Sequence, residues 1–142
     1  MRIVLADDEP VLRMVLCRLL DAHGAEVVAA ADGIELLERL AEATYDLIVT
    51  DVDMGWFGGI PALAAARTAG VTTPALVMSG DLGKRARDLR HLGRVRLLDK
   101  PFDPAAMFAM IDDLLHGAGA SGNTTATAMP WGRAASSAQL PP

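Results

Sequence analysis

Leu47-Ile48-Val49-Thr50-Asp51-Val52-Asp53 is an apolar, largely β-branched run that stops at an acid. A run that is continuous rather than alternating is what a strand covered on both faces looks like. Comparable runs occupy Ile3 to Leu5, Glu26 to Ala29, Ala75 to Met78 and Val95 to Leu98. Segments of helical period lie between them. Val11, Leu12, Val15, Leu16 and Leu19 share one face of a first helix that Gly24 closes. Asp32 reads as the N-cap of a second helix carrying Ile34, Leu37 and Leu40, and the last helix starts with Asp103 as N-cap and Pro104 at its first position.

Strands alternating with helices in this way predict an α/β fold: a doubly wound, five-stranded parallel sheet with five helices on its two faces. The pattern stops near residue 116. Residues 117–142 are rich in Ala, Gly, Ser, Thr and Pro, carry Arg133 as their one charge, and read as a disordered tail. Trp131 within it is taken as a tail residue without a role.

The 142 residues are 51% hydrophobic and 22% charged, enough for one core and too few for a two-domain enzyme. Eighteen acids against 13 bases leave a net charge of −5, which argues against binding nucleic acid through its phosphates. Uncharged apolar runs such as Ile60 to Ala66 fall well short of the ~20 residues that span a bilayer. Without a signal-peptide pattern, and with Cys17 unable to form an internal disulfide, the chain is expected to be cytoplasmic with no membrane partner.

In a doubly wound parallel sheet, ligands bind outside the carboxyl ends of the strands. The first run here leads into Asp7-Asp8-Glu9, the third into Asp51 and Asp53, the fourth into Ser79-Gly80 and the fifth into Lys100-Pro101. Carboxylates gathered at one edge repel unless a cation joins them, and a hard divalent ion with oxygen ligands suits the set. Lys100 and Ser79 add donors for the remaining oxygens of a transferring phosphoryl group. Asp51, central in chain order and followed by a Gly-rich loop, is the candidate nucleophile for an acyl phosphate.

These residues carry a resemblance: the chain is similar to the receiver domains of bacterial two-component response regulators over about residues 2 to 116. Asp7-Asp8, Asp51, Ser79 and Lys100-Pro101-Phe102 stand in that family's order. The resemblance implies a flavodoxin-like fold with strand order 2-1-3-4-5, and Asp51 as phosphoacceptor for a histidine kinase or histidine phosphotransfer protein. It further implies Mg²⁺, with Mn²⁺ as a substitute, bound by Asp8, Asp51 and the backbone carbonyl of Asp53, while Asp7 holds the metal's water shell. Lys100 would contact the phosphoryl group ahead of a cis-proline at Pro101, and Ser79 would move its hydroxyl toward it. The chain would be a signalling protein rather than an enzyme, with Mg²⁺-dependent self-phosphorylation and autodephosphorylation.

The sequence departs from the family beside the acceptor. Met54-Gly55-Trp56-Phe57-Gly58-Gly59 replaces the usual Met-Pro and Asp-Gly pairs, so this loop is expected to be more mobile. Leu97 stands where the family carries a switch aromatic, and Asp53 adds a carboxylate expected to alter acyl-phosphate lifetime. Asp51-Val52-Asp53 also matches the DxD of haloacid dehalogenase-type phosphatases, but there the motif follows the first strand and the acidic pair comes last. A phosphorylation-independent binding module is the other alternative.

With no output domain following residue 116, the expectation is a stand-alone receiver in a phosphorelay that signals through protein contacts, including a homodimer. Lys84, Arg85, Arg87, Arg90, Arg94 and Arg96 cluster around the expected fourth helix and the approach to strand five. Arg87, Arg90 and Arg94, with Met107 and Met110 on an apolar arc of the last helix, form the candidate partner face.

Overall fold

The computed structural model describes residues 1–81, 87, 89 and 91–117. Its elements are β1 (Arg2–Ala6), α1 (Pro10–Ala22), β2 (Glu26–Ala30), α2 (Gly33–Glu42), β3 (Leu47–Asp51), α3 (Gly59–Thr68), β4 (Ala75–Ser79), β5 (Val95–Asp99) and α4 (Pro104–Asp112), which continues as a π-helical turn, Asp113–Gly117. Four helices therefore stand among the described residues. Most of the expected fourth helix, with Lys84, Arg85 and Arg90, lies outside them, as do residues 118–142.

The five strands form one parallel sheet in the order β2-β1-β3-β4-β5. This is the predicted doubly wound architecture. Val4 pairs with Val28 on one side and Ile48 on the other, so the chain winds outward in opposite directions from β1 and β3. A crevice opens between their carboxyl ends, where the helices diverge.

Strand alternation divides the core into two layers. Ile3, Leu5, Leu47, Val49, Leu76 and Met78 meet Leu16 and Leu20 of α1 and Met107, Phe108 and Ile111 of α4. Val4, Ala6, Ile48, Ala75 and Val77 meet Leu36 of α2 and Ala62 and Leu63 of α3. The central strands β3 and β4 are buried throughout, which explains their unbroken apolar sequence.

Two expected caps form. The Asp32 carboxylate accepts from the Glu35 amide at 2.8 Å, and Glu35 reaches back to the Ala31 amide at 2.6 Å. Asp103 accepts from the Ala105 amide at 2.9 Å, with Pro104 as first helical residue.

The inward helix faces differ from the periodicity reading. In α1 the buried residues are Leu16 and Leu20, with Leu12 and Leu19 packed beside them, whereas Val11 and Val15 are 65% and 45% exposed. In α2 the inward stripe is Leu36, Leu37 and Leu40, and Ile34 faces solvent. Adjacent helical residues point 100° apart, so where apolar residues stand side by side the period alone does not choose between them.

The last helix also corrects an expectation. Met107 is fully buried between the sheet and α1, so it belongs to the core and to no partner face; Met110 packs half-buried against the same cluster. Leu114, seven residues after Met107, lies on the same buried face although the chain leaves α-helical geometry at Asp113, and Leu115 packs partly buried against the same cluster. His23, whose Nδ1 lies 3.1 Å from the Leu19 carbonyl, stacks on Phe108 at 3.8 Å and ties α1 to α4. No helix among the described residues is long and apolar enough to cross a membrane.

Truncating Met107 to Ala is expected to cost about 3 kcal/mol by urea denaturation, because it empties a closed site. Met110→Ala should cost less than half of that, since Met110 is only partly buried; equal small losses would place Met107 at the surface.

Candidate functional site

Asp7 and Asp8 follow β1, and Asp51 is the last residue of β3. The two strands are neighbours, so their ends bring the three carboxylates within 4.8 Å of one another. Asp7 is fully buried, Asp51 nearly so, and Asp8 is exposed.

Each group is held by its own backbone contacts. The Asp7 carboxylate accepts from the Glu9 amide at 2.9 Å, while the Arg13 guanidinium of α1 donates to the Asp7 carbonyl at 2.8 Å. The Asp53 amide hydrogen-bonds the Asp51 carboxylate. At the end of β4, the buried Ser79 hydroxyl accepts from the Asp81 amide at 2.9 Å, so its own proton is left to donate. The Lys100 amide donates to the Ser79 carbonyl at 2.9 Å, and the Lys100–Pro101 bond is cis. From this anchor the Lys100 ammonium reaches 3.3 Å from Asp51 Oδ2 and 3.9 Å from Asp7 Oδ2.

The electrostatics are unfavourable for full ionisation. Burial pushes the Asp7 carboxyl above its ordinary value; the Glu9 amide and Lys100 offset part of this, while Asp8 and Glu9 add to it. Burial likewise raises Asp51, with Lys100 opposing the rise and Asp7 reinforcing it. Asp7 Oδ2 is buried without a hydrogen-bond partner, because Lys100 stands beyond hydrogen-bond reach. Hard oxygen donors, one of them orphaned, clustered at a sheet edge, fit a small divalent cation; Asp7, Asp8 and Asp51 are the residues able to hold it.

Asp7, Asp8, Asp51, Ser79, Lys100 and Pro101 thus lie at one end of the sheet; of the candidate partner face, Met107 is in the core and Arg90 lies outside the described residues. Arg94 donates to the Leu114 carbonyl, Arg96 pairs with Asp113 at 2.9 Å, and Arg87 is exposed. Leu97 packs partly buried in the layer of α2 and α3. Burial pushes the Cys17 thiol up, as suits a packed rather than a reactive cysteine.

The glycines after the acceptor have a packing reason that sequence reasoning missed. Gly55 takes a positive φ of 64°. Gly58 is the N-cap of α3, and a Cβ there would stand 2.2 Å from the Val52 carbonyl oxygen. The loop also docks on α2: the Gly33 amide donates to the Phe57 carbonyl at 3.1 Å, an approach that a side chain at Gly33 would block. Arg13 was missed as well, since its contact is to a backbone atom and leaves no motif.

Raised carboxyl values mean that the folded chain holds protons more tightly than the unfolded one, so metal-free stability falls as pH rises from the ordinary carboxylate range through the raised values. Asp51→Asn removes one buried negative charge and is expected to raise the metal-free melting midpoint at pH 7 by on the order of 4 °C. It should also abolish most of the midpoint increase that Mg²⁺ produces in the parent chain. A lower midpoint in the variant would show that the carboxylate stabilises the metal-free fold.

Comparison with known proteins follows the same lines. The model of the response regulator receiver domain matches residues 3–112. The chain is 37% identical over 102 residues to the Regulator of RpoS from Escherichia coli (strain K12), covering 70% of this chain and 30% of that protein. It is 32% identical over 119 residues to the Sensory/regulatory protein RpfC from Xanthomonas campestris pv. campestris, covering 80% of this chain and 16% of that protein. It thus spans less than a third of either relative's length. The solved structure of Vibrio cholerae chemotaxis protein CheY4 matches with a TM-score of 0.76 at 27% identity, over 80% of this chain and 98% of that one.

Proposed function

We propose, since this chain belongs to the response regulator receiver domain family, that Asp51 accepts a phosphoryl group from a phosphohistidine and that the chain signals through protein contacts in a phosphorelay. The observation that supports this reading most is the Lys100 ammonium reaching toward two buried carboxylates at the sheet's switch point. One Asp51 carboxylate oxygen attacks phosphorus, the phosphorus–nitrogen bond of the donor breaks, and its electron pair leaves with the imidazole, which takes up a proton. When bound through Asp7, Asp8, Asp51 and the Asp53 carbonyl, Mg²⁺ supplies the charge neutralisation that the phosphoryl oxygens require, and Mn²⁺ substitutes for it. Lys100 compensates further negative charge, and Ser79 donates its hydroxyl proton. Hydrolysis of the acyl phosphate resets the protein.

A groove beside α1 supports a place for the donor. A groove of about 440 Å³, lined by Leu12, Val15, Leu16, Leu19, Pro101 and Phe102, runs along α1 and has Lys100 in its wall. Val11, Met14 and Val15 expose apolar surface on the same helix. A donor helix laid in this groove buries Val15 and brings its phosphohistidine next to Lys100.

Intact mass after incubation with acetyl phosphate tests the acceptor. A single phosphoryl adduct that requires Mg²⁺ and is absent from Asp51→Ala is expected; no adduct on the folded chain would point to a phosphorylation-independent binding module, and continuous phosphate release to a phosphatase. Val15→Asp tests the groove. It should slow transfer from a phosphorylated histidine kinase by about tenfold or more, the cost of one charge in an apolar interface, while the acetyl phosphate reaction is unchanged.

A further inference from the structure

The backbone of Asp51 is gripped from the face of the sheet opposite to its carboxylate partners. Thr50 is fully buried, although its strand neighbours on the α2 and α3 face, Ile48 and Val52, are apolar. Its hydroxyl donates to the Asp51 carbonyl at 3.0 Å. The first residue of α3 presses on both groups: a Cβ on Gly59 would stand 2.2 Å from the Asp51 oxygen and 2.8 Å from Thr50 Oγ1. The Gly59 amide in turn donates to the Val52 carbonyl at 3.1 Å. The Asp51–Val52 peptide is therefore held by a buried hydroxyl, with the bare start of α3 packed against both.

A buried threonine is replaceable by valine at almost no change in shape, so packing alone gives no reason for the hydroxyl. Among the described residues, its hydroxyl bonds only to the peptide that carries the acceptor. We propose that Thr50 is a positioning residue for Asp51, acting with Gly59 to set the tilt of the Asp51–Val52 peptide and hence the direction of the carboxylate toward cation and phosphoryl group. This rests on the reading of Asp51 as phosphoacceptor. Small misplacement is enough to matter: an error of about 1 Å in a reacting group costs up to about a hundredfold in rate. Without the hydroxyl the carbonyl loses its donor in a dry site, and the peptide relaxes away from the tilt that α3 imposes.

The test compares Thr50→Val, which keeps the shape and loses the hydroxyl, with Thr50→Ser, which keeps the hydroxyl and loses a methyl group. Thr50→Ala replaces the valine variant should that one not fold. Two readouts are taken on the whole chain: the acetyl phosphate rate constant at saturating Mg²⁺, and the dissociation constant of Mg²⁺ alone by calorimetry. Thr50→Val is expected to slow phosphorylation about tenfold and weaken Mg²⁺ about threefold, with Thr50→Ser within about twofold of the parent on both. The reverse order, with serine impaired and valine normal, assigns Thr50 to packing and overturns the proposal, as do equal values in all three proteins. If the parent chain takes no phosphoryl group, the phosphoacceptor reading fails by itself, while the order of Mg²⁺ affinities still decides the role of Thr50.

Discussion

Two carboxylates buried side by side with one ammonium reaching toward them set the terms for the rest of this molecule. Asp7 and Asp51 lose hydration at the switch point of the sheet, and Lys100 approaches both without forming a hydrogen bond to Asp7 Oδ2. Removing ionised carboxylates from water costs several kcal/mol each even after relaxation, on the order that a whole domain has to spare. The fold tolerates this because its strands and helices supply the compensation. The Glu9 amide binds Asp7, the Asp53 amide binds Asp51, and the tie between the Ser79 carbonyl and the Lys100 amide keeps the lysine at the end of β5. The net effect is a site that is short of positive charge. On the proposed reading, a divalent cation would relieve the carboxylates and Lys100 the phosphoryl oxygens.

That arrangement needs a rigid platform, and the two-layer core provides it. β3 and β4 are buried along their whole length, so the ends that carry Asp51 and Ser79 do not fray into solvent. The start of α3 is pressed directly on the end of β3, which only glycine at positions 58 and 59 allows. On the other face, α1 and α4 cover the sheet through Leu16, Leu20, Met107 and Phe108, and α1 keeps Val11, Met14 and Val15 outside. The same helix thus closes the core with one face and, through Val15, lines a groove that Lys100 also borders.

The acids, the hydroxyl and the lysine were legible because they end strands, and strand ends in a parallel sheet converge by topology alone. The caps at Asp32 and Asp103 were legible because a cap is a contact between residues two or three apart. The inward faces of α1 and α2 were less so. Val11-Leu12 and Val15-Leu16 are pairs of adjacent apolar residues, and only the sheet beneath selects Leu12 and Leu16 as the inner members. The roles of Arg13, Thr50 and Gly33 left no trace, since each acts on a backbone carbonyl or loop that any sequence presents.

Local chemistry in the chain therefore determined the alternation of elements, their caps and the identity of the charged groups, because propensity, periodicity and capping act over a few residues. Tertiary structure decided which groups are dry, which are paired and which face solvent. Asp7 and Asp8 are neighbours of one type, yet one is buried with an orphaned oxygen and the other is exposed. Met107 and Met110 are likewise of one type, yet only the first is sealed in the core. The physical reason is that desolvation and Coulomb interaction depend on distances between segments far apart in sequence, and those distances exist only once the sheet has assembled.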